Sequence, residues 1–226
     1  ASVLDRQNKP LQAIAEADIL LNSDPRNPGY RALKAAALGQ LGEYADAIHI
    51  YEDLLNTHPG QPKAWMSYGH ALKALGRYDQ CVDAYRKSIT LLPSLGEAYW
   101  SLANLKRFRF TDDDVAAMRA QLGRGDLGDE DRYHLEFALG KALEDAGQFA
   151  PSFEHYEAGN ALRRAGANYD ANEFAEHVQR LKEQFTPAFL QDHAGVGCAA
   201  ADPIFIVGLP RAGSTLVEQI VAAHSQ

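Results

Sequence analysis

The chain has 226 residues, with 22 lysines and arginines against 30 aspartates and glutamates, a formal net charge of −8. Its 46% apolar and 23% charged content is that of a folded, soluble chain rather than a disordered one, and the acidic excess argues against a broad nucleic-acid-binding surface. Two cysteines, Cys81 and Cys198, exclude a disulfide framework and a thiolate zinc site, and no run of 18 apolar residues is available to span a membrane.

The polar start at Ala1 is not a signal peptide, which points to a cytoplasmic location. The stop at Gln226, directly after an apolar helical stretch, reads as a chain cut at both ends. A targeting signal ahead of Ala1 stays open.

Internal periodicity decides the fold class. Pro25, Pro59 and Pro93 recur every 34 residues. Ahead of Pro59 stand Gly42, Tyr44, Ala47, Tyr51 and Leu54; Gly76, Tyr78, Cys81, Tyr85 and Ser88 stand at the same intervals ahead of Pro93. The middle unit adds Trp65, Tyr68, Gly69 and Leu72 in its first helix. Glycine suits the turn between an A and a B helix because positive φ costs it little. Small Ala47 and Cys81 let the helices approach, aromatics fill the space between, and each proline ends a B helix. This pattern resembles the tetratricopeptide repeat, a helix–turn–helix unit that stacks into a superhelix.

In chain order, Pro10 to Asn22 fits a B helix, with Ala13 and Ala17 at the small and aromatic positions. After Pro93 the array degrades. Leu95 to Arg107 reads as an A helix, with Tyr99 and Leu102 at the expected offsets. A capping box, Thr111 with Asp114, opens a helix to about Leu122; Asp112 and Asp113 are favourable charge at a helix start rather than a cation site. Gly123, Gly125 and Gly128 break the chain. The pattern returns at Tyr133, with Leu139, Gly140, Leu143, Gly147, Phe149 and Tyr156. A last helix, Asp170 to Phe185, aligns Phe174, Val178, Leu181 and Phe185 on one face. The expected organisation is a superhelix over 1–165, a capping helix and exposed, partly mobile linker over 166–201, and a different unit over 202–226.

That last segment carries the chemistry. Ile204 to Val207 is a short β-branched run that reads as a buried strand, followed by the loop Gly208-Leu-Pro-Arg-Ala-Gly-Ser-Thr215 and an apolar helix from Leu216 to Ala223. A strand, a glycine-rich loop and a helix N-terminus form an anion-binding device. Gly208 and Gly213 have P-loop spacing, but Ser214 stands where a Walker loop has its lysine, and the only loop cation is Arg211. An ATPase or GTPase is thereby disfavoured.

The run Pro203 to Ile220 resembles the 5′-phosphosulfate-binding segment of sulfotransferases, most closely the tyrosylprotein-sulfotransferase type. The whole chain is similar to a bacterial group with tetratricopeptide repeats ahead of such a domain. The resemblance implies a mainly α protein followed by the first strand–loop–helix of a truncated α/β P-loop domain. It implies sulfonyl transfer from 3′-phosphoadenosine-5′-phosphosulfate to an acceptor hydroxyl, protein tyrosine among the candidates, without a metal. Arg211, Gly213, Ser214 and Thr215 would hold the 5′-phosphate, with Pro210 and Ala212 in the same loop, and Arg211 would act catalytically by neutralising charge at the transferred group. Ala212 departs from the usual serine, removing one hydroxyl contact. The family's carboxylate base and 3′-phosphate ligands lie beyond Gln226, so this length by itself is expected to be inactive.

The second candidate is the concave face of the repeats, where Lys63, Met66, His70 and Lys73 share an A-helix face and Asn104 follows in the next repeat. This face would take a protein or peptide, with an acidic one favoured; Ala32 and Ala36 exclude a clamp of the chaperone-tail type. The rival reading of the whole chain is a non-catalytic tetratricopeptide scaffold. The eight histidines lack metal-ligand spacing. Cys81, Trp65 and Trp100 are expected to pack, and Cys198 to be an exposed thiol.

Overall fold

The computed structural model describes residues 9–167, 169–197, 200, 204–209 and 212–224. The chain divides into two compact units, Ala1–Ala167 and Asn168–Gln226. In the first unit lie α1 (Pro10–Ser23), α2 (Pro28–Leu41), α3 (Tyr44–Thr57), α4 (Pro62–Ala74), α5 (Tyr78–Leu91), α6 (Gly96–Ala103), α7 (Asp112–Leu122), α8 (Asp129–Asp145) and α9 (Phe149–Gly166). The second holds α10 (Ala171–Gln184), α11 (Pro187–Asp192) and α12 (Ser214–Ala222).

Backbone chemistry sets the hairpins of the first unit. Pro28 and Pro62 occupy the first turns of α2 and α4, where the missing N–H would have no helical partner anyway. At the other end of these A helices Gly42 and Gly76 adopt φ of 86° and 72°. The next residue then folds back: Glu43 donates to the Leu38 carbonyl at 3.0 Å and Arg77 to that of Leu72 at 2.9 Å. This closure satisfies carbonyls that a helix end otherwise strands, and Gly147 repeats it after α8. The B helices α1, α3 and α5 each end two residues before a proline of the 34-residue series.

Packing follows the same register. Ala47, Cys81 and Ser152 are buried where B helices approach A helices. Gly69 lies against the ring of Tyr85, and a Cβ there would sit 2.5 Å from its Cε1. The pair recurs 71 residues later, where a Cβ on Gly140 would sit 3.0 Å from Tyr156 Cδ1. Two buried serine hydroxyls are bonded: Ser88 donates to the Pro62 carbonyl at 2.8 Å and Ser152 to that of Gly140 at 2.7 Å. With these hairpins packed in sequence, the unit is a tetratricopeptide superhelix.

The degraded third repeat differs from its expected form. The helix expected from Leu95 to Arg107 spans only Gly96–Ala103. Leu105, a core residue, and the edge-on pair Phe108 and Phe110, 5.0 Å apart, draw the chain out of the helical path to bury themselves. α8 packs directly on α6, with the Gly96 amide donating to the Asp131 carboxylate at 2.9 Å. α7 lies outside this pair. The expected capping box forms, Thr111 and Asp114 bonding reciprocally, and Asp114 also accepts a two-pronged contact from Arg86 on α5, one arm at 2.9 Å.

In the second unit Asp170 caps α10 and Thr186 caps α11 through the Phe189 amide at 3.2 Å. α11 is a short helix inside the stretch expected to be linker. The buried strand expected over Ile204 to Val207 is not formed: 204–208 have no ladder partner among the described residues, and Phe205 and Val207 are 85% and 91% exposed. A strand is held by pairing of its backbone groups, and an apolar run without a neighbour stays unpaired. Among the described residues, therefore, no strand–loop–helix start of an α/β domain is formed, although α12 is.

Two stability outcomes follow. A Cβ at Gly96 would lie 2.1 Å from the Asp131 carbonyl oxygen, a backbone atom that cannot swing aside. Gly96→Ala should destabilise the first unit by about 3 kcal/mol, the upper range for overpacking, read by urea unfolding. Burial alone would raise the Asp114 carboxyl, but the bonds from Arg86 and Thr111 outweigh it and hold the group below the usual aspartate range. That contribution exists above about pH 4 and fades as pH falls through the lowered folded value. Asp114→Asn should therefore lower Tm by about 2–4 °C at pH 7, with the gap from wild type closing in acid.

Candidate binding groove and terminal loop

The repeat register places one row of side chains along the inner edges of the A helices. Ala32 of α2, Met66 of α4 and Trp100 of α6 follow at 34-residue intervals, and Phe137 of α8 takes the next place, as the Gly69 to Gly140 correspondence fixes. Met66 is 8% exposed and supports the row from below. The Trp100 and Phe137 rings lie 5.4 Å apart, with Tyr133 and Tyr156 at 6.3 and 6.5 Å from Phe137. Arg163 stacks 4.9 Å over Tyr133. The row grows from methyl to indole and phenyl along the superhelix, an apolar floor with aromatic contact area at one end.

Of the residues expected on this face, Lys63, His70 and Lys73 are exposed on α4 beside Met66. His70 is tied down: its Nε2 lies 3.1 Å from the Ser101 hydroxyl, and its ring meets the edge of Tyr85 at 5.5 Å. Although part of the side chain reaches solvent, desolvation of the ring, with the charge of Lys73, pushes it below the ordinary histidine range. Lys63 faces Glu97, whose carboxyl is raised by burial and by Glu130 and Asp131, with Lys63 partly offsetting them. Lys73 makes no ion pair among the described residues. Asn104 spends its amide on the Trp100 carbonyl of its own helix, at 3.0 Å.

Sequence reasoning missed a notch between α2, α3 and α4. This cavity of about 330 Å³ is bounded by Ala35, Ala36, Gly39, Ala71 and Ala74, with Tyr44 and Tyr51 as larger walls and His70 at its edge. The available signal was the small residues Ala35, Ala36, Ala37 and Gly39, which leave room only once α4 stands opposite.

Pro210 and Arg211, like Cys198, lie outside the described residues. Around them, the Ala212 amide bonds to the Leu209 carbonyl at 3.0 Å and Gly213 takes φ 85°. Ser214 and Thr215 then open α12, whose first turn no side chain caps. Uncapped amides at a helix start are suited to an anion. Trp65 and Cys81 pack as expected: Trp65 donates to the Pro59 carbonyl at 2.8 Å and Cys81 is wholly buried.

Comparison with known proteins divides along the same line. A model described as "Sulfotransferase family" matches residues 203–226, and one described as "Anaphase-promoting complex, cyclosome, subunit 3" matches residues 2–88. An uncharacterized protein of Aquifex aeolicus (strain VF5) is 32% identical over 121 residues, which is 54% of this chain and 16% of that protein. The chain thus spans about a sixth of the curated relative it matches. Among solved structures, MamA 41-end from Desulfovibrio magneticus RS-1 aligns with a TM-score of 0.52 at 18% identity, over 73% of this chain and 91% of that one. A chain of the APC/C hetero-tetramer Cut9-Hcn1 aligns at 0.55 and 12% identity, over 72% of this chain and 31% of the other. These likenesses extend over the superhelix and establish its fold.

Proposed function

We propose that the Ala1–Ala167 unit is a protein-interaction scaffold that holds a segment of a partner protein along the inner row of its A helices. The carrying observation is the repeat register that aligns Ala32, Met66, Trp100 and Phe137, the last two with rings 5.4 Å apart, with exposed polar side chains such as Lys63, His70 and Lys73 beside them. A floor of this kind gives a bound segment apolar area while the flanks select among sequences. Trp100, half-buried at the centre, is its anchor. Selection of displayed random dodecapeptides should yield binders that lose about tenfold affinity on Trp100→Ser and none on Lys87→Ser, an exposed α5 site. Binders equally sensitive to both, or to neither, overturn this reading.

A second reading belongs to residues 203–226. Its support is the family match over that segment, together with left-handed Gly213 and the uncapped start of α12. In it, the chain contributes the donor loop of a sulfotransferase acting on an acceptor hydroxyl. Arg211, Gly213, Ser214 and Thr215 would surround the 5′-phosphate of 3′-phosphoadenosine-5′-phosphosulfate, which supplies the sulfonyl group. Arg211 is the one cation of the loop, and a guanidinium suits the planar spread of phosphate oxygens better than an ammonium. Titration calorimetry with 3′-phosphoadenosine-5′-phosphate should give binding that falls at least tenfold on Arg211→Ala with helix content unchanged. Equal heats for the two proteins, or no heat for either, count against it.

A further inference from the structure

We propose that the notch between α2, α3 and α4 is the specificity pocket of the groove, and that its occupant is an acidic protein segment that inserts one aliphatic side chain. The inference rests on the scaffold reading above and adds the chemistry of the partner. Three observations carry it. First, the cavity is large enough for a branched aliphatic side chain with adjoining backbone, and its walls are mainly methyl groups, glycine and tyrosine rings, with Gln40, Ser67 and His70 as the other polar members. Removing such a side chain from water is favourable wherever it fills the space, and at Ala36, Ala71 and Ala74 the lining projects only methyls into the space.

Second, a lysine stands beside the notch in an otherwise acidic protein. No carboxylate lines the notch, although the chain carries eight more acidic than basic side chains. Lys73 stands one turn from His70 and next to Ala74 on α4, close enough to influence the His70 charge. It has no carboxylate partner among the described residues, whereas Arg31, Lys34, Arg77 and Arg86 of neighbouring helices are all engaged with acids. Third, the imidazole at its edge is already positioned. His70 is fixed by Ser101 and Tyr85, so ordering it for a ligand costs little entropy.

A carboxylate beside Lys73, one or two residues from the inserted side chain, completes the charge arrangement. A basic segment would meet Lys73 and Lys63 unfavourably. Complementary charge of this kind governs encounter and partner choice more than raw affinity.

Three capped, labelled dodecapeptides test this by fluorescence anisotropy at low salt: one with a central leucine among glutamates and glycines, one with glycine for the leucine, and one with lysine for every glutamate. The first should bind the full chain, the second at least tenfold more weakly, and the third not measurably. Lys73→Glu, at an exposed site that spares the core, should weaken the first about tenfold. Ala36→Phe, checked for an unchanged melting temperature, should abolish the difference between the first and second. Equal binding of leucine and glycine peptides, equal binding of acidic and basic ones, or binding of none overturns the proposal. In that event the scaffold reading still stands if selected dodecapeptides of other chemistry respond to Trp100→Ser, and falls with it if none do.

Discussion

Close approach of an A helix and its B helix at a residue with no side chain is the constraint on which the superhelix depends. At Gly69 the ring of Tyr85 occupies the volume that any Cβ would claim, and Gly140 and Tyr156 repeat the arrangement. The tyrosines can be large only because the facing residues are absent in all but backbone. Their rings then span the layer between hairpins and present Met66 and Phe137 at the right height to form one floor. The inner row is thus a by-product of packing on the opposite side of the same helices: the face that recognises and the face that stabilises share one register.

The parts legible in the sequence were those written in local chemistry. The prolines and glycines at 34-residue spacing gave helix starts and stops to within a residue or two, because each acts through its own φ preference or its own missing donor. Thr111 and Asp114 announced their capping box for the same reason. What escaped was written across distance. α6 stops at Ala103 because Leu105, Phe108 and Phe110 find burial elsewhere. α8 reaches α6 through Gly96 and Asp131, 35 residues apart. The notch was invisible because an empty space has no residue of its own; five small side chains on two helices make it only when those helices face each other.

The terminal segment shows the opposite limit. Ile204 to Val207 has the composition of a strand, and composition states a preference rather than a structure. Strand formation needs a neighbour to accept its hydrogen bonds, and none of the described residues supplies one. The helix after Gly213 has no such need, since its bonds are internal, and it forms. The same stretch therefore contains an element that its own residues can complete and one that they cannot.

The divided core also has a consequence for how the first unit holds together. Its buried residues fall into two clusters, one from α2 to the end of α6 and one centred on α8, and Ile89 and Phe110 are the partly buried side chains that touch both. In a stacked array, melting spreads from repeat to repeat only as far as the interface energy between neighbours carries it. Here that transmission also runs through α6, which gives Ala98 and Leu102 to one cluster and Tyr99 to the other and packs directly on α8, and it is reinforced by Arg86 gripping Asp114. The two clusters are accordingly sewn together by one shared helix, so a cavity cut into α6 is felt on both sides of it, whereas one cut at the outer face of α9 stays local.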